Sequence, residues 1–563
     1  MKNLVEKNKI TIFDSTLRDG AQAEGISFTV EDKIKIATAL DDLGVDYIEA
    51  GNPGSNPKDL AFFEHFAAAA EPLKNAKLIA FGSTRRKGIS AAEDDNIKAL
   101  LQAQTAAVCI FGKTWDFHVT EILRATLDEN LEMIADTIRF FKQADKEVIF
   151  DAEHFFDGCK SNEKYAMLVL ETAKNAGADA IVLCDTNGGC FPNEIFEMTK
   201  KAVELVENLE KSQNTGKSQV DEKSQVVEKG EKIVPIGIHT HNDCEMAVAN
   251  SIMAVQAGAT HVQGTFTGFG ERCGNANLSA IIPNLQLKLG FVCVGNLAKL
   301  TQTARYISEV ANIPHNRRAA YTGKSAFAHK GGMHIDAVEK ASSSFEHINP
   351  ELVGNERKYL MSEVAGRSML IGKIQQISPE LTKESPQTIE IIGKLKELEQ
   401  QGYQFEGAES SFGLYIRKLL GKYKPLFELV HFKTIGEQPQ AEESAENSAS
   451  AIIKITVNDQ TEITAAEGSG PVNALDKALR KALEKFYPEL ANVHLTDYKV
   501  RVLDSTNATA SKVRVLIEST DGTSNWTTVG VSADIIEASW LALVDSIEYK
   551  LIKEIEEKFK AFI

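Results

Sequence analysis

The first half of the chain alternates short apolar segments with longer segments in which apolar residues recur at helical spacing. The short segments are rich in β-branched and aromatic residues, which predicts strands. The eight predicted strands are Thr11–Ser15, Tyr47–Gly51, Leu78–Ser83, Ala107–Phe111, Val148–Glu153, Ala180–Cys184, Pro235–Thr240 and His261–Phe266. A segment between two of them, Glu31–Leu43, has the apolar stripe of an amphipathic helix. The pattern therefore predicts a repeated strand–helix unit.

A glycine stands between a predicted helix and the next strand three times, in Leu43–Asp46, Ala176–Asp179 and Ala257–Thr260. Glycine commonly ends a helix because it tolerates left-handed backbone. Eight strand–helix units in about 275 residues are typical of a TIM barrel. A doubly wound open sheet is the alternative. No GxGxxG follows the first strand, which counts against a dinucleotide-binding version of that sheet.

The second half of the chain has a different pattern. Asn277–Ile435 is predicted to be mainly helical, and Gly436–Ala451 has the composition of a linker. After it come predicted strands Ile452–Val457, Tyr498–Leu503 and Lys512–Glu518 and predicted helices Val472–Phe486 and Ser532–Phe559. The predicted fold class is α/β, a TIM (β/α)8 barrel with a helical connector and a C-terminal α/β domain. The expected boundaries are 1–290 for the barrel, 291–435 for the connector, 436–451 for the linker and 452–563 for the last domain.

A polar, repetitive segment interrupts the barrel pattern at residues 207–232, where KSQ recurs. It falls between the sixth predicted helix and the seventh strand, on the barrel face opposite the chemistry. We therefore expect that this insertion can be shortened without loss of activity.

The composition excludes several classes of protein. In 563 residues, 62 Lys and Arg stand against 79 Asp and Glu, which gives a net charge of −17. That balance argues against a nucleic-acid or anionic-membrane surface, each of which needs a basic excess. No apolar run reaches the roughly 18 residues of a membrane span, and the N-terminus lacks the apolar core of a secretory signal. Seven cysteines without a CxxC pair fit reduced thiols, so we expect a cytoplasmic protein.

Unusual polar residues collect where the predicted strands end, which is the face of a TIM barrel that carries the active site. The clusters are Asp14–Gly20, Asp151–His154, Cys184–Asn187, His239–Asp243 and Gly270–Asn275. His239 and His241 are two residues apart on one strand, so both side chains point to the same side. With Asp19 and the amide oxygen of Asn275 they would form a mixed nitrogen and oxygen site. Such a site suits Mn²⁺, Mg²⁺, Co²⁺ or Zn²⁺.

For other residues at this face, a structural or surface role is an alternative to a functional one. Arg85 and Arg86 follow the third strand and would either hold an anionic substrate or belong to a solvated loop. Cys273 is expected to have a packing role rather than to act as a nucleophile. His154 is expected to be structural, because it points away from the side of the strand that Glu153 faces.

Four segments carry a resemblance to a known family: FDSTLRDGAQ (Phe13–Gln22), HTHND (His239–Asp243), GERCGNANL (Gly270–Leu278) and AHKGGMHIDAV (Ala328–Val338). They resemble the α-isopropylmalate, homocitrate and citramalate synthases, which are metal-dependent acyl-CoA condensing enzymes on a TIM barrel. GSGPVNAL (Gly468–Leu475) is similar to the C-terminal regulatory domain of that family. GAQAEGISFTVEDK and EAGNPGSNPKDLAFF look most like the long-form citramalate synthases.

The resemblance implies roles for individual residues. It implies that the metal ligands are Asp19, His239, His241 and Asn275. It implies that Arg18 binds substrate and stabilises a developing alkoxide, that Glu153 orients substrate or relays a proton, and that Thr186 holds the substrate carboxylate. It implies acid–base work for His334, with Asp336 beside the substrate. Family members often have Tyr where this chain has Phe345, so a hydroxyl role at that position cannot operate here.

The resemblance also implies the reaction. Acetyl-CoA, pyruvate and water would give (R)-citramalate and CoA, for isoleucine biosynthesis, with isoleucine as inhibitor and a homodimer as the assembly. The close alternative is a 2-isopropylmalate synthase that uses 2-ketoisovalerate. One methyl group more or less in an apolar pocket is worth only about 1–3 kcal/mol, so the sequence discriminates weakly. A metal-dependent aldolase or lyase, or a non-catalytic amino-acid sensor, are alternatives from other classes.

Overall fold

The computed structural model describes residues 8–68, 73–217, 234–360, 371, 374–375, 377–382, 384–436, 449–503, 511–522 and 524–561. Packing divides the chain into two compact units, 1–328 with 346–358, and 329–345 with 359–563. Among the described helices, none has the length and apolar character needed to cross a membrane. The predicted insertion and the predicted linker both lie largely outside the described residues. The division into four segments expected from the sequence stays a prediction.

Eight parallel strands form a closed barrel in the first unit, and they follow one another around it in chain order. They are β1 (Thr11–Asp14), β2 (Tyr47–Gly51), β3 (Lys77–Ser83), β4 (Ala107–Lys113), β5 (Glu147–Glu153), β6 (Ala180–Asp185), β7 (Ile236–Thr240) and β8 (His261–Gly264). All eight predicted strands are present. Thr11–Asp14 pairs with His261–Gly264, which closes the barrel and shows that the open-sheet alternative is wrong.

Helices follow the strands around the outside of the barrel. They are α1 (Val30–Leu43), α2 (Pro57–Ala68), α3 (Asp95–Gln102), α4 (Leu127–Gln143), α5 (Phe155–Ala176), α6 (Pro192–Lys217), α7 (Ala247–Gln256), α8 (Leu278–Pro283) and α9 (Leu300–Val310). Helix α1 is capped by Thr29, whose side chain accepts a hydrogen bond from the Asp32 backbone N–H in a capping box. It buries Ile36, Ala37 and Leu40 against the barrel.

Two of the predicted glycine stops are followed by an aspartate that contacts the neighbouring, preceding strand. Gly44 ends α1 with a φ of 94° and Gly177 ends α5 with a φ of 103°, conformations that favour glycine. Two residues after each glycine, an aspartate accepts a backbone N–H at the start of the neighbouring strand. Asp46 Oδ2 lies 2.8 Å from the Ile12 nitrogen, and Asp179 Oδ2 lies 2.8 Å from the Val148 nitrogen. At these two places the motif therefore fixes the amino end of a neighbouring strand.

The second unit contains two antiparallel three-stranded sheets. Two very short strands, β9 (Ala328–His329) and β10 (Lys358–Tyr359), lie where the units divide. The sheets are β11 (Glu428–Gly436), β12 (Ala449–Val457) and β13 (Gln460–Gly468), and β14 (His494–Val502), β15 (Val513–Thr520) and β16 (Asn525–Ser532). The helices are α10 (Gly332–Lys340), α11 (Pro386–Gln401), α12 (Glu409–Leu419), α13 (Pro471–Leu483) and α14 (Ile535–Ala561).

Strand β11 corrects one expectation from the sequence. The mainly helical character expected as far as Ile435 is wrong for Glu428–Ile435, because these residues pair antiparallel with β12. Most side chains of β11 are exposed, so the sequence there lacks the alternation of apolar and polar residues that marks a half-buried strand.

Candidate metal centre and active site

Asp19, His239 and His241 lie together at the carboxyl end of the barrel. Each offers one ligand atom, and the three atoms lie within 4.8 Å of one another, with all three residues buried. Asp19 Oδ2 is 3.3 Å from His239 Nε2, and the two imidazole centroids are 5.3 Å apart. The chain therefore brings one carboxylate and two imidazoles into an arrangement that could hold a metal ion.

Asn275 adds a buried oxygen next to this cluster. Its backbone bridges to His241, the residue is 2% exposed, and its Nδ2 donates to the Phe269 carbonyl at 3.2 Å. Its Oδ1 is buried without a hydrogen-bond partner, as is His241 Nδ1. An unpartnered buried polar atom costs about 1–3 kcal/mol, so a ligand role explains why these atoms are tolerated. The two nitrogens and two oxygens fit a divalent metal.

The charges of the cluster suit a metal ligand set. Burial favours the neutral acid, but Arg18 and then His239 outweigh it, so the pKa of Asp19 lies well below its usual range. Burial, followed by neighbouring His239, lowers the pKa of His241 to about 4. Burial also favours neutral His239, but its contact with the Asp19 carboxylate outweighs burial and raises the pKa of His239. Asp19 is therefore ionised and His241 neutral at pH 7, the forms that coordinate metals.

Arg18 is held rigidly beside the cluster. Its Nε donates to Glu49 Oε2 at 2.7 Å, and its Nη1 lies 3.2 Å from Asp19 Oδ2. The guanidinium carbon stands 3.8 Å from the centre of the Phe81 ring, which closes one side. Glu49 also accepts from the Ser15 hydroxyl at 2.5 Å. Glu49 was not among the residues predicted from the sequence, although a glutamate inside the buried strand YIEAG is itself a signal.

Glu153 and Thr186 lie at the ends of neighbouring strands at the same end of the barrel. Glu153 forms an ion pair with Lys113 at the end of β4. The Thr186 hydroxyl accepts from the His154 backbone N–H at 2.9 Å. Arg272 ties three loops together, since its Nε lies 2.8 Å from Asp243 Oδ1 and its Nη2 2.9 Å from the Thr186 carbonyl. The substrate roles of Glu153 and Thr186 stay predictions.

Comparison with known proteins places this site in a family. Residues 9–307 match a family model described as HMGL-like, residues 321–403 a homocitrate synthase post-HMGL domain-like model, and residues 406–551 a LeuA allosteric (dimerisation) domain. The (R)-citramalate synthase of Aquifex aeolicus is 51% identical over 98% of this chain and 99% of its own length. That of Geobacter sulfurreducens is 50% identical over 97% and 98%. The chain belongs to the citramalate synthase family of enzymes. The 2-isopropylmalate synthase of Pseudoalteromonas atlantica is 30% identical over 95% of both chains.

The alternatives considered for other residues at this end of the barrel have different outcomes. Arg85 is neither a free anion-binding group nor solvated, because it is 8% exposed and its Nη2 lies 2.8 Å from Asp136 Oδ2 of α4. The packing role expected of Cys273 is wrong, since the residue is exposed. It follows Arg272, whose φ of 56° belongs to a tight surface turn. His154 precedes α5 and its Nδ1 lies 2.9 Å from Asp157 Oδ2, a contact consistent with the structural role.

His334 and Asp336 belong to the second compact unit, on α10. Both are exposed. Asp336 pairs with Lys340 at 2.6 Å, and the His334 ring stacks on Phe345 with centroids 4.0 Å apart. The catalytic role of His334 and the substrate-binding role of Asp336 stay predictions.

Proposed function

We propose that this enzyme condenses acetyl-CoA with pyruvate and water to give (R)-citramalate and CoA. The observation that carries the proposal is similarity over nearly the whole chain to five relatives named (R)-citramalate synthase, at 43–51% identity; a sixth relative of that name is 29% identical. Relatives named 2-isopropylmalate synthase are 29–30% identical, which favours pyruvate over 2-ketoisovalerate.

The residues at the barrel mouth would divide the work as follows. Asp19, His239, His241 and Asn275 would hold Mn²⁺, Mg²⁺, Co²⁺ or Zn²⁺, which acts when bound as a Lewis acid on the ketone of the keto acid. Arg18 would stabilise negative charge developing on the ketone oxygen, because its guanidinium stays charged and Glu49 fixes its position.

Three further residues would handle the rest of the substrates. Thr186 would bind the keto-acid carboxylate and Glu153 would orient substrate or relay a proton. His334 would act as acid or base at the acetyl-CoA methyl group, with Asp336 binding substrate. Hydrolysis of the thioester adduct by water then releases CoA and makes the reaction irreversible.

The test is thiol release from acetyl-CoA, measured in parallel with pyruvate, 2-ketoisovalerate and 2-ketoglutarate. We expect release with pyruvate, and its loss after chelation with recovery when a divalent metal is added back. Preference for 2-ketoisovalerate would replace the proposal by 2-isopropylmalate synthase. No release with any keto acid, in a sample that instead cleaves a hydroxyacyl-CoA, would favour the lyase alternative.

We also propose that isoleucine inhibits the enzyme through its C-terminal domain and that the chain forms a homodimer. The match of residues 406–551 to a LeuA allosteric (dimerisation) domain supports both. Inhibition by isoleucine should disappear when the chain is truncated at about residue 440. Unchanged inhibition of the truncated enzyme, or a monomeric full chain in sedimentation, would contradict the corresponding proposal. The cytoplasmic location stays a prediction.

A further inference from the structure

A buried series of hydrogen bonds runs behind the metal cluster, from β5 through β8 to β7. Gln263 of β8 is 0% exposed, and its Nε2 donates to Asp151 Oδ1 at 2.9 Å. Its Oε1 lies 2.8 Å from His239 Nδ1. Asp151 and His239 are also buried. Of these three side chains, only His239 has a role in the function proposed above.

The chemistry of the three groups gives the series a direction. The amide nitrogen of Gln263 faces Asp151 and its oxygen faces His239, which is the orientation that a carboxylate requires because it only accepts hydrogen bonds when ionised. An amide oxygen also only accepts, so His239 Nδ1 must carry a proton. Nε2 is then the atom of His239 that faces Asp19, at 3.3 Å, and that is available to a metal.

We propose that Gln263 is a positioning residue that fixes the tautomer and orientation of His239, and that Asp151 sets the direction of the Gln263 amide. Gln263 would act through His239, which it contacts, and is itself 0% exposed. The inference rests on the proposed metal site. Groups that hold the second ring nitrogen of a ligating histidine typically contribute about 10–100-fold to metal affinity.

The experiment measures the affinity of the full chain for Mn²⁺ alone, with free Mn²⁺ followed by electron paramagnetic resonance. Gln263→Met should weaken Mn²⁺ binding about 10–100-fold. Gln263→Glu should also weaken it, because an ionised carboxylate at this position cannot donate a hydrogen bond to the Asp151 carboxylate and repels it. Adding Asp151→Asn restores a donor beside the introduced carboxylate, so the double variant should return to within about threefold of wild type.

A matched control separates this role from the loss of any buried amide. Asn250 is also buried and its Nδ2 donates to the Cys190 carbonyl at 2.8 Å. Asn250→Ala should lower thermal stability without changing Mn²⁺ affinity. A purely structural Gln263 would behave in the same way.

Either of two results would overturn the inference. The first is that the Gln263→Met protein is folded, as judged by circular dichroism, and binds Mn²⁺ within about twofold of wild type. The second is that the double variant binds Mn²⁺ as weakly as Gln263→Glu. If Gln263→Met does not fold, the comparison of Gln263→Glu with the double variant decides. The measurement uses no acetyl-CoA or keto acid, so a wrong substrate assignment leaves it intact. Wild type that binds none of Mn²⁺, Mg²⁺, Co²⁺ and Zn²⁺ would refute the metal site, whereas wild-type binding with unaffected variants refutes only this inference.

Discussion

The polar groups at the two ends of the barrel differ in burial and in pairing. At the amino end, partly or largely exposed side chains are paired across neighbouring elements: Tyr47 donates to Glu147 at 2.6 Å, Lys77 lies 2.7 Å from Glu147, and Lys142 lies 2.6 Å from Asp179. At the carboxyl end several buried atoms have no hydrogen-bond partner, among them Glu49 Oε1, His241 Nδ1 and Asn275 Oδ1.

The difference separates stability from function within one fold. Paired groups at the amino end connect the starts of neighbouring elements, so changes there should cost folding energy and leave turnover alone. Unpartnered atoms at the carboxyl end cost folding energy as they stand, and a bound ligand would offset that cost. One residue complicates the contrast, since His261 at the amino end has a buried Nε2 without a partner.

The largest effect should come from a ligand at the carboxyl end. His241→Ala is expected to lower kcat/KM for thiol release by about 10³-fold or more, because a neutral imidazole is removed from the metal site. Unfolding by denaturant should change little, since His241 Nδ1 makes no hydrogen bond that would be lost. The exposed His65 of α2 gives a matched control, and His65→Ala should retain full turnover. Retained activity in His241→Ala would contradict the functional role assigned to His241 at the carboxyl end of the barrel.

The next largest effect should be on the pH dependence of stability, through a histidine at the amino end of the barrel. Burial lowers the pKa of His261 to about 4, from an ordinary value of 6.5. The unfolded chain therefore binds this proton first as pH falls. The stability from neutral His261 is complete above pH 6.5 and is lost as pH falls toward 4, to a total of about 3 kcal/mol. Denaturant unfolding of wild type and His261→Phe across that range should show the smaller pH dependence in the variant. Identical pH dependence would contradict the expectation.

A smaller effect should follow from a single hydrogen bond at the amino end. Tyr47→Phe removes the hydroxyl that donates to Glu147, and we expect a loss of about 1 kcal/mol in the free energy of unfolding. The kcat for thiol release should stay at the wild-type value, because the ring and the barrel remain. A drop in kcat without a drop in the free energy of unfolding would contradict the assignment of stability to the amino end and of function to the carboxyl end.

The smallest effect should come from an exposed thiol at the carboxyl end. Cys273→Ser should change the free energy of unfolding by less than about 0.5 kcal/mol, since the residue is exposed. Turnover should stay within about twofold of wild type, because no covalent step is proposed for it. A large loss of turnover would show that location at the carboxyl end of the barrel does not by itself distinguish metal ligands from neighbouring residues.

The sequence predicted the barrel because its evidence is local and repeated. Strand alternation, helical spacing and glycine stops such as Gly44 and Gly177 each act within a few residues of the chain. The sequence did not predict strand β11, because an exposed strand has no such local pattern. The ligand candidates Asp19, His239 and His241 were found because they stand at predicted strand ends, where a barrel carries its chemistry.

What the sequence by itself determined is which residues lie at the active end of the barrel and which chemical types they offer there. Only the tertiary structure decided their partners. Gln263 and Asp151 are 112 positions apart, and Arg85 meets Asp136 51 positions away. Such pairings depend on barrel closure and on side-chain rotamers, which no local pattern encodes. The same closure decided which buried atoms stay without a partner and so remain available to a ligand.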